Sequence, residues 1–226
     1  MLKFFSNISS YFSGCKKNSD PITITNHLDT LDIVLCNGHR YWFSYVVEYA
    51  TWSDFSHIGI ILKSPTWIDP GLTGTYFLES GIETFPDSID HKMKYGVQIC
   101  DFNHMLEIYN GSLYVKKVDS VAFNDNREFY INKLKKIYES IKDKPYDDNP
   151  IDLLEAQIRV RLKNANRIDS FFCSALVAFV FTQLGFLPAD TEWDLFQPKD
   201  FADGNAAERY LNQIGFAKLE KMIRIK

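Results

Sequence analysis

The chain of 226 residues is 46% apolar and 24% charged, and its 25 Lys and Arg against 29 Asp and Glu leave a net charge of −4. This length fits one large domain with room for a short appendage, and the apolar content excludes wholesale disorder. A mildly acidic chain without a clustered basic field argues against nucleic acid as a main partner, because phosphate neutralisation needs grouped Lys and Arg.

At the start of the chain, Phe4, Phe5, Ile8, Tyr11 and Phe12 recur at helical spacing, with Lys3, Ser6, Asn7, Ser9, Ser10 and Ser13 around the other side. Residues 1–25 therefore read as an amphipathic extension and residues 26–226 as the folded domain. Two roles stay open for residues 1–20: a segment docked on the body or partly disordered, and a contact with a membrane surface. In the second, Cys15 beside Lys16 and Lys17 is an acylation point. Leu2 excludes an N-myristoyl signal.

Residues 32–36 form a short apolar strand, and the aromatic-rich stretch 41–52 reads as a helix. A buried strand follows over 56–62, closed by Ser64-Pro65, and then a Pro- and Gly-bearing loop over 67–74. Residues 76–80 make another strand ended by Gly81, and segments 97–100 and 113–118 bring the strands to at least five. The pattern then turns helical. Asn124, Asp125 and Asn126 cap a helix whose apolar face is Phe129 or Tyr130, Leu134, Ile137, Tyr138 and Ile141. Asn149-Pro150 opens a second, lined by Leu154, Ile158 and Leu162. Asp169-Ser170 caps a third over 171–184, which Gly185 stops; being apolar all round, it should be buried on every side. A short helix over 208–214 and a strand over 216–225 close the chain. Strands followed by helices predict an α+β domain.

The cysteines at 15, 36, 100 and 173 are separated by 21, 64 and 73 positions, which matches neither zinc-finger nor redox-motif spacing. Scattered cysteines without a signal-peptide pattern predict free thiols and a cytoplasmic protein, peripheral at a membrane if residues 1–20 bind one. The longest apolar run, eleven residues over 171–181 broken only by Ser174, falls short of the roughly 20 needed to cross a bilayer.

Cys173 falls in the first turn of the apolar helix. Unpaired N–H groups and partial positive charge at a helix N-terminus favour a thiolate, and the same N–H groups can hold an oxyanion. Buried structural cysteines are common, so this feature needs a partner. His57, near the start of an otherwise apolar strand, is the natural one, whereas His27, His39, His91 and His104 fall in loops or polar stretches. Glu79 closes the next strand and is placed to hold the imidazole if the two strands are neighbours. Glu83, beyond Gly81, is the alternative.

These residues form an ordered series: Asp32-Ile33-Val34-Leu35, Ser56-His57-Ile58-Gly59, Phe77-Leu78-Glu79, Lys144-Pro145-Tyr146-Asp147 and Phe172-Cys173-Ser174-Ala175-Leu176-Val177. The series resembles the circularly permuted NlpC-type papain-like cysteine peptidases, the YiiX/YaeF group, over roughly residues 31–201. A segment resembling one of theirs also follows the cysteine helix, Gln197-Pro198-Lys199-Asp200-Phe201. Leu31 stands where that family often has glycine. The resemblance implies a permuted papain-like fold with an antiparallel sheet packed on the nucleophile helix. It implies Cys173 as nucleophile, His57 as base, Glu79 as the residue orienting it, and Tyr146 as a cleft-lining residue.

The expected chemistry is acyl transfer through a thioester, from a peptide or lipid amide, ester or thioester, with no metal or organic cofactor. Two alternatives stand beside an amidase or peptidase: a lipid-directed acyltransferase or phospholipase using the same residues, and a non-catalytic binding module on a retained fold. Metal-ligand spacing such as H-E-x-x-H, the G-x-S-x-G elbow and Gly-rich phosphate loops are all missing from the sequence.

Overall fold

A computed structural model of the protein describes residues 25–38, 55–146 and 171–226, apart from the side chains of 82–84. The expected N-terminal extension, the helix over 41–52 and the helix opening at Asn149-Pro150 lie outside these residues. In chain order the strands are β1 (Ile33–Asn37), β2 (His57–Lys63), β3 (Thr75–Pro86), β4 (Met93–Asp101), β5 (Ser112–Lys116), β6 (Val118–Asp119), β7 (Lys218–Leu219) and β8 (Ile223–Arg224). The helices among them are α1 (Phe102–Ile108), α2 (Val121–Asp125), α3 (Arg127–Ile141), α4 (Cys173–Leu184) and α5 (Ala206–Ile214). Six strands form one antiparallel sheet in the order β4-β3-β2-β1-β5-β8, and β6 pairs with β7 in a second, two-stranded sheet. The chain is a mixed α+β domain built on a large antiparallel sheet.

Alternation along the strands divides the core in two. Ile33, Leu35, Ile58, Ile60, Leu62, Leu78, Val97 and Ile99 belong to the cluster that includes α4 and the inner side of α3. Val34, Cys36, Ile61, Phe77, Cys100, Leu113 and Val115 belong to the other, with Phe102, Met105 and Leu106 of α1. Helix α4 lies against β2 and β3, and every residue in it except Gln183 is buried. Its Leu, Val and Phe side chains each contribute about 1.5–3 kcal/mol by leaving water, which is what fixes an otherwise unspecific apolar helix to the sheet. No described helix is long and apolar enough to cross a membrane.

Several elements differ from expectation. Gly81 does not end its strand; β3 continues to Pro86 because β4 pairs with it through Gly81↔Gly96 and Ile82↔Tyr95, and ladder hydrogen bonds outweigh the local turn tendency. Glu79 therefore sits within the strand, and Glu83 lies in the same strand. The expected strand over 113–118 is two strands. The buried Asp32 carboxylate accepts the Val118 N–H at 3.0 Å, where the chain leaves β5 to pair with β7. The terminal strand over 216–225 is likewise broken into β7 and β8.

Helix α1 was not anticipated, so the order is not strands and then helices; its signal was Asp101, whose side chain caps His104 N at 2.9 Å. His104 is thus helical, and it is exposed as expected, as is His91. Helix α4 begins at Cys173, with Phe172 in the cap position and no side-chain cap. Asp169 and Ser170, expected as its cap, lie outside the described residues; Phe171 is held by its N–H on Pro145 O at 3.1 Å and its carbonyl under Ser80 Oγ.

Two backbone positions matter for the site. Gly96, at φ +146°, pairs with Pro145, and a Cβ there would fall 2.1 Å from the Lys144 carbonyl. Only glycine lets residues 144–146 lie against β4 and lead, through the Tyr146↔Phe171 bridge, to the start of α4. Leu31 adopts φ +83°, a left-handed conformation that glycine takes without strain. Its buried side chain and its N–H on Ile61 O at 2.9 Å hold it there.

Candidate active site

His57 opens β2 and pairs with Cys36 of β1. The register Ile60↔Leu78 and Ile61↔Phe77, continued by one residue, sets Gly59 opposite Glu79. His57 and Glu79 then share a sheet face as diagonal neighbours, with only a glycine between them. Glycine is needed for packing as well, since a Cβ on Gly59 would meet the Phe77 ring at 2.4 Å. His57 Nε2 and Glu79 Oε2 form a hydrogen-bonded ion pair, with the His57 side chain 22% exposed and that of Glu79 3%. Cys173, at the first turn of α4, lies close enough to His57 for its charge to act on the imidazole. The three residues that the sequence singled out separately are thus joined in one chain of contacts.

Electrostatics follows from this arrangement. Burial opposes a charged imidazole, but negative charge at Cys173 and at Glu79, with a hydrogen bond to Glu79, outweighs it and lifts His57 from 6.5 to about 10. Burial also works against the Glu79 carboxylate, yet the His57 charge and hydrogen bonds from His57, Gln98 and Cys100 bring its pKa below the ordinary value. Burial and the nearby charges of Glu79 and Cys173 push the Cys36 thiol well up. Burial and Glu79 do the same to Cys100.

The start of α4 is held from three sides. Phe171, Phe179 and Trp193 stack with ring centroids 5.2–5.4 Å apart, Ser174 Oγ donates to Phe196 O at 2.7 Å, and Ser80 Oγ donates to Phe171 O. The Gln197–Phe201 segment forms a short 3₁₀ helix from Pro198, in which Asp200 accepts the Gln197 N–H at 2.7 Å. Tyr146 lies beside Phe171, two residues before the cysteine; it is buried, and its ring meets Tyr95 at 5.6 Å. The fold thus sets Tyr146 in the packing around the helix start. The side chain of Glu83 lies outside the described residues, and Glu79 is the carboxylate on His57.

Sequence reasoning did not single out Gln98, whose Nε2 donates to Glu79 Oε1 at 2.8 Å, or the second role of Cys100, whose Sγ donates to the same oxygen at 3.3 Å. The available signal was a glutamine inside the apolar run 97–100, two residues from a cysteine and so on the same face. Among the described residues, no group of three or more His, Cys, Asp and Glu side chains is placed to hold a metal ion.

No family model and no curated protein matches the chain. Among solved structures, the metalloprotein YiiX from Escherichia coli O157:H7 is similar, at 16% identity and a TM-score of 0.46, over 88% of this chain and 96% of that one. That likeness is too loose to carry a residue-by-residue correspondence.

Proposed function

We propose that this chain is a cysteine-nucleophile acyl-transfer enzyme, an amidase or peptidase on a permuted papain-like fold of the NlpC type. The observation that supports it is the contact chain Cys173–His57–Glu79, assembled from a helix N-terminus and two neighbouring strands. In this reading His57 takes the Cys173 proton and the thiolate attacks a carbonyl carbon. The first N–H groups of α4, which have no side-chain cap, hold the oxyanion. His57 then protonates the leaving group, and water or another acceptor releases the acyl group from the thioester. Glu79 fixes the imidazole orientation and stabilises its charged form. Tyr146 packs beside the nucleophile helix, and a membrane-surface contact through residues 1–20 stands as the alternative to a segment docked on the body or partly disordered.

The test is intact-protein mass spectrometry after exposure to a mixed pool of peptides, phospholipids and acyl thioesters. A mass addition on Cys173 that is absent from Cys173→Ala supports the reading, and the added mass names the donor. A fatty-acyl addition would reassign the substrate to lipid. Absence of any adduct, with Cys173 alkylated no faster than an ordinary thiol, would leave a non-catalytic module.

A further inference from the structure

We infer that Gln98 and Cys100 are positioning residues that divide the Glu79 carboxylate between two jobs, holding Oε1 so that Oε2 stays ionised and aimed at His57. This rests on the reading of Cys173 and His57 given above. The geometry assigns each oxygen separately: Oε2 faces His57 Nε2, while Oε1 receives Gln98 Nε2 at 2.8 Å and Cys100 Sγ at 3.3 Å. Gln98 is directly opposite Glu79 in the β3–β4 register, and Cys100, two residues on, is opposite Phe77 on the same face. All three are buried, at 2% exposure for Glu79, 1% for Gln98 and 0% for Cys100, so the carboxylate cannot recruit bulk water in place of these donors.

The Gln98 amide supplies a second observation. Its Oε1 is buried and has no hydrogen-bond partner among the described residues. Turning the amide over would set that oxygen against the carboxylate, so the orientation is fixed by Glu79 at the cost of an unsatisfied acceptor. A residue retained only for packing would be apolar at this position. Cys100 fits the same role, because burial and the Glu79 charge keep its thiol protonated and therefore a donor. The other ionisable groups around Glu79 are His57 from β2, Cys36 from β1, Cys173 from α4, and Tyr109 just after α1.

The experiment is the pH profile of Cys173 alkylation by iodoacetamide in the full chain, read site by site by peptide mass spectrometry, together with the melting temperature. Gln98→Met keeps length and removes the donor. Glu79 should then protonate at higher pH, collapsing the imidazolium–thiolate pair earlier, so the acid limb should rise by about one pH unit. In a Glu79→Gln background the same substitution should move the limb no further. Cys100→Ala should raise the limb by less, and Cys100→Ser should restore it.

A lowered melting temperature with an unmoved limb overturns the inference and makes Gln98 a packing residue. If Gln98→Met does not fold, the cysteine pair decides: a limb raised by Ala and restored by Ser supports the inference, and identical profiles overturn it. A wild-type profile that does not respond to His57→Ala is a different failure, because it removes the catalytic reading itself.

Discussion

Charge is buried in two parts of this molecule to different ends. At the start of β2, His57 and Glu79 pair inside the sheet, and the chain of contacts runs on to a thiol at a helix terminus. At the end of β5, Lys116 is fully buried, but its partners Asp203 at 2.8 Å and Glu208 at 3.4 Å are 42% and 30% exposed. The second arrangement ties the segment before α5, and α5 itself, to the sheet edge. Its carboxylates remain near water, so their charge is stabilised whether or not the lysine is present. In the first, each charge is stabilised chiefly by the others. An ion pair whose anion is sealed from water can tune a nucleophile, whereas one open on its anionic side is a clasp.

Breaking each pair should therefore register in different measurements. The largest effect is expected for His57→Ala, which should lower turnover by roughly 10²–10⁴-fold and slow Cys173 alkylation at pH 7. Because nearby negative charge outweighs burial and lifts its pKa to about 10, the His57 imidazole should stay protonated through neutral pH and lose its proton as pH rises through that value. Glu79→Gln should cost less than His57→Ala, and unchanged alkylation in both would break the comparison on the catalytic side.

Next in size is the double substitution Asp203→Asn, Glu208→Gln, which strands a buried ammonium. It should destabilise the fold by about 3–5 kcal/mol in denaturant unfolding while leaving Cys173 reactivity unchanged. If it altered that reactivity, the clasp would not be separate from the site.

A third buried charge sharpens the contrast, because Asp32 is held by the backbone N–H groups of Asp29 at 2.9 Å and Val118 at 3.0 Å. Burial raises its pKa from 3.8 to about 6. The native state then keeps a proton that the unfolded chain releases, so stability should fall as pH rises from about 4 to about 6, by up to about 3 kcal/mol. Asp32→Asn should flatten that slope in equilibrium unfolding, and an unchanged slope would assign it elsewhere. The smallest effect is expected for Lys116→Met. It removes the only fully buried charge of the clasp and leaves two exposed carboxylates, so stability should change by no more than about 1 kcal/mol. A loss comparable to that of the double substitution would show that the carboxylates depend on the lysine as much as it depends on them.

Much of the site could be read from the chain because its signals are local oddities. A histidine opening an apolar strand, a cysteine opening an apolar helix and a carboxylate in a neighbouring strand are visible without coordinates. Short apolar runs over 32–36, 56–62 and 97–100 were enough to assign strands, and Gly185 was enough to end α4, where it takes the left-handed φ of +85°.

Choosing Glu79 as the partner of His57 required the register of β2 on β3. The continuation of β3 through Gly81 required β4. The start of α4 at Cys173 required Pro145 and Ser80 to hold Phe171. The roles of Gln98 and Cys100 depended on the same pairing, since neither is within eighteen residues of Glu79 in the chain. Local propensity comes from side chains acting on the few backbone groups within a turn of themselves, and the sequence determines that much alone. Which distant carboxylate meets a histidine is decided by ladder hydrogen bonds and packing between strands, and these exist only once the sheet has formed.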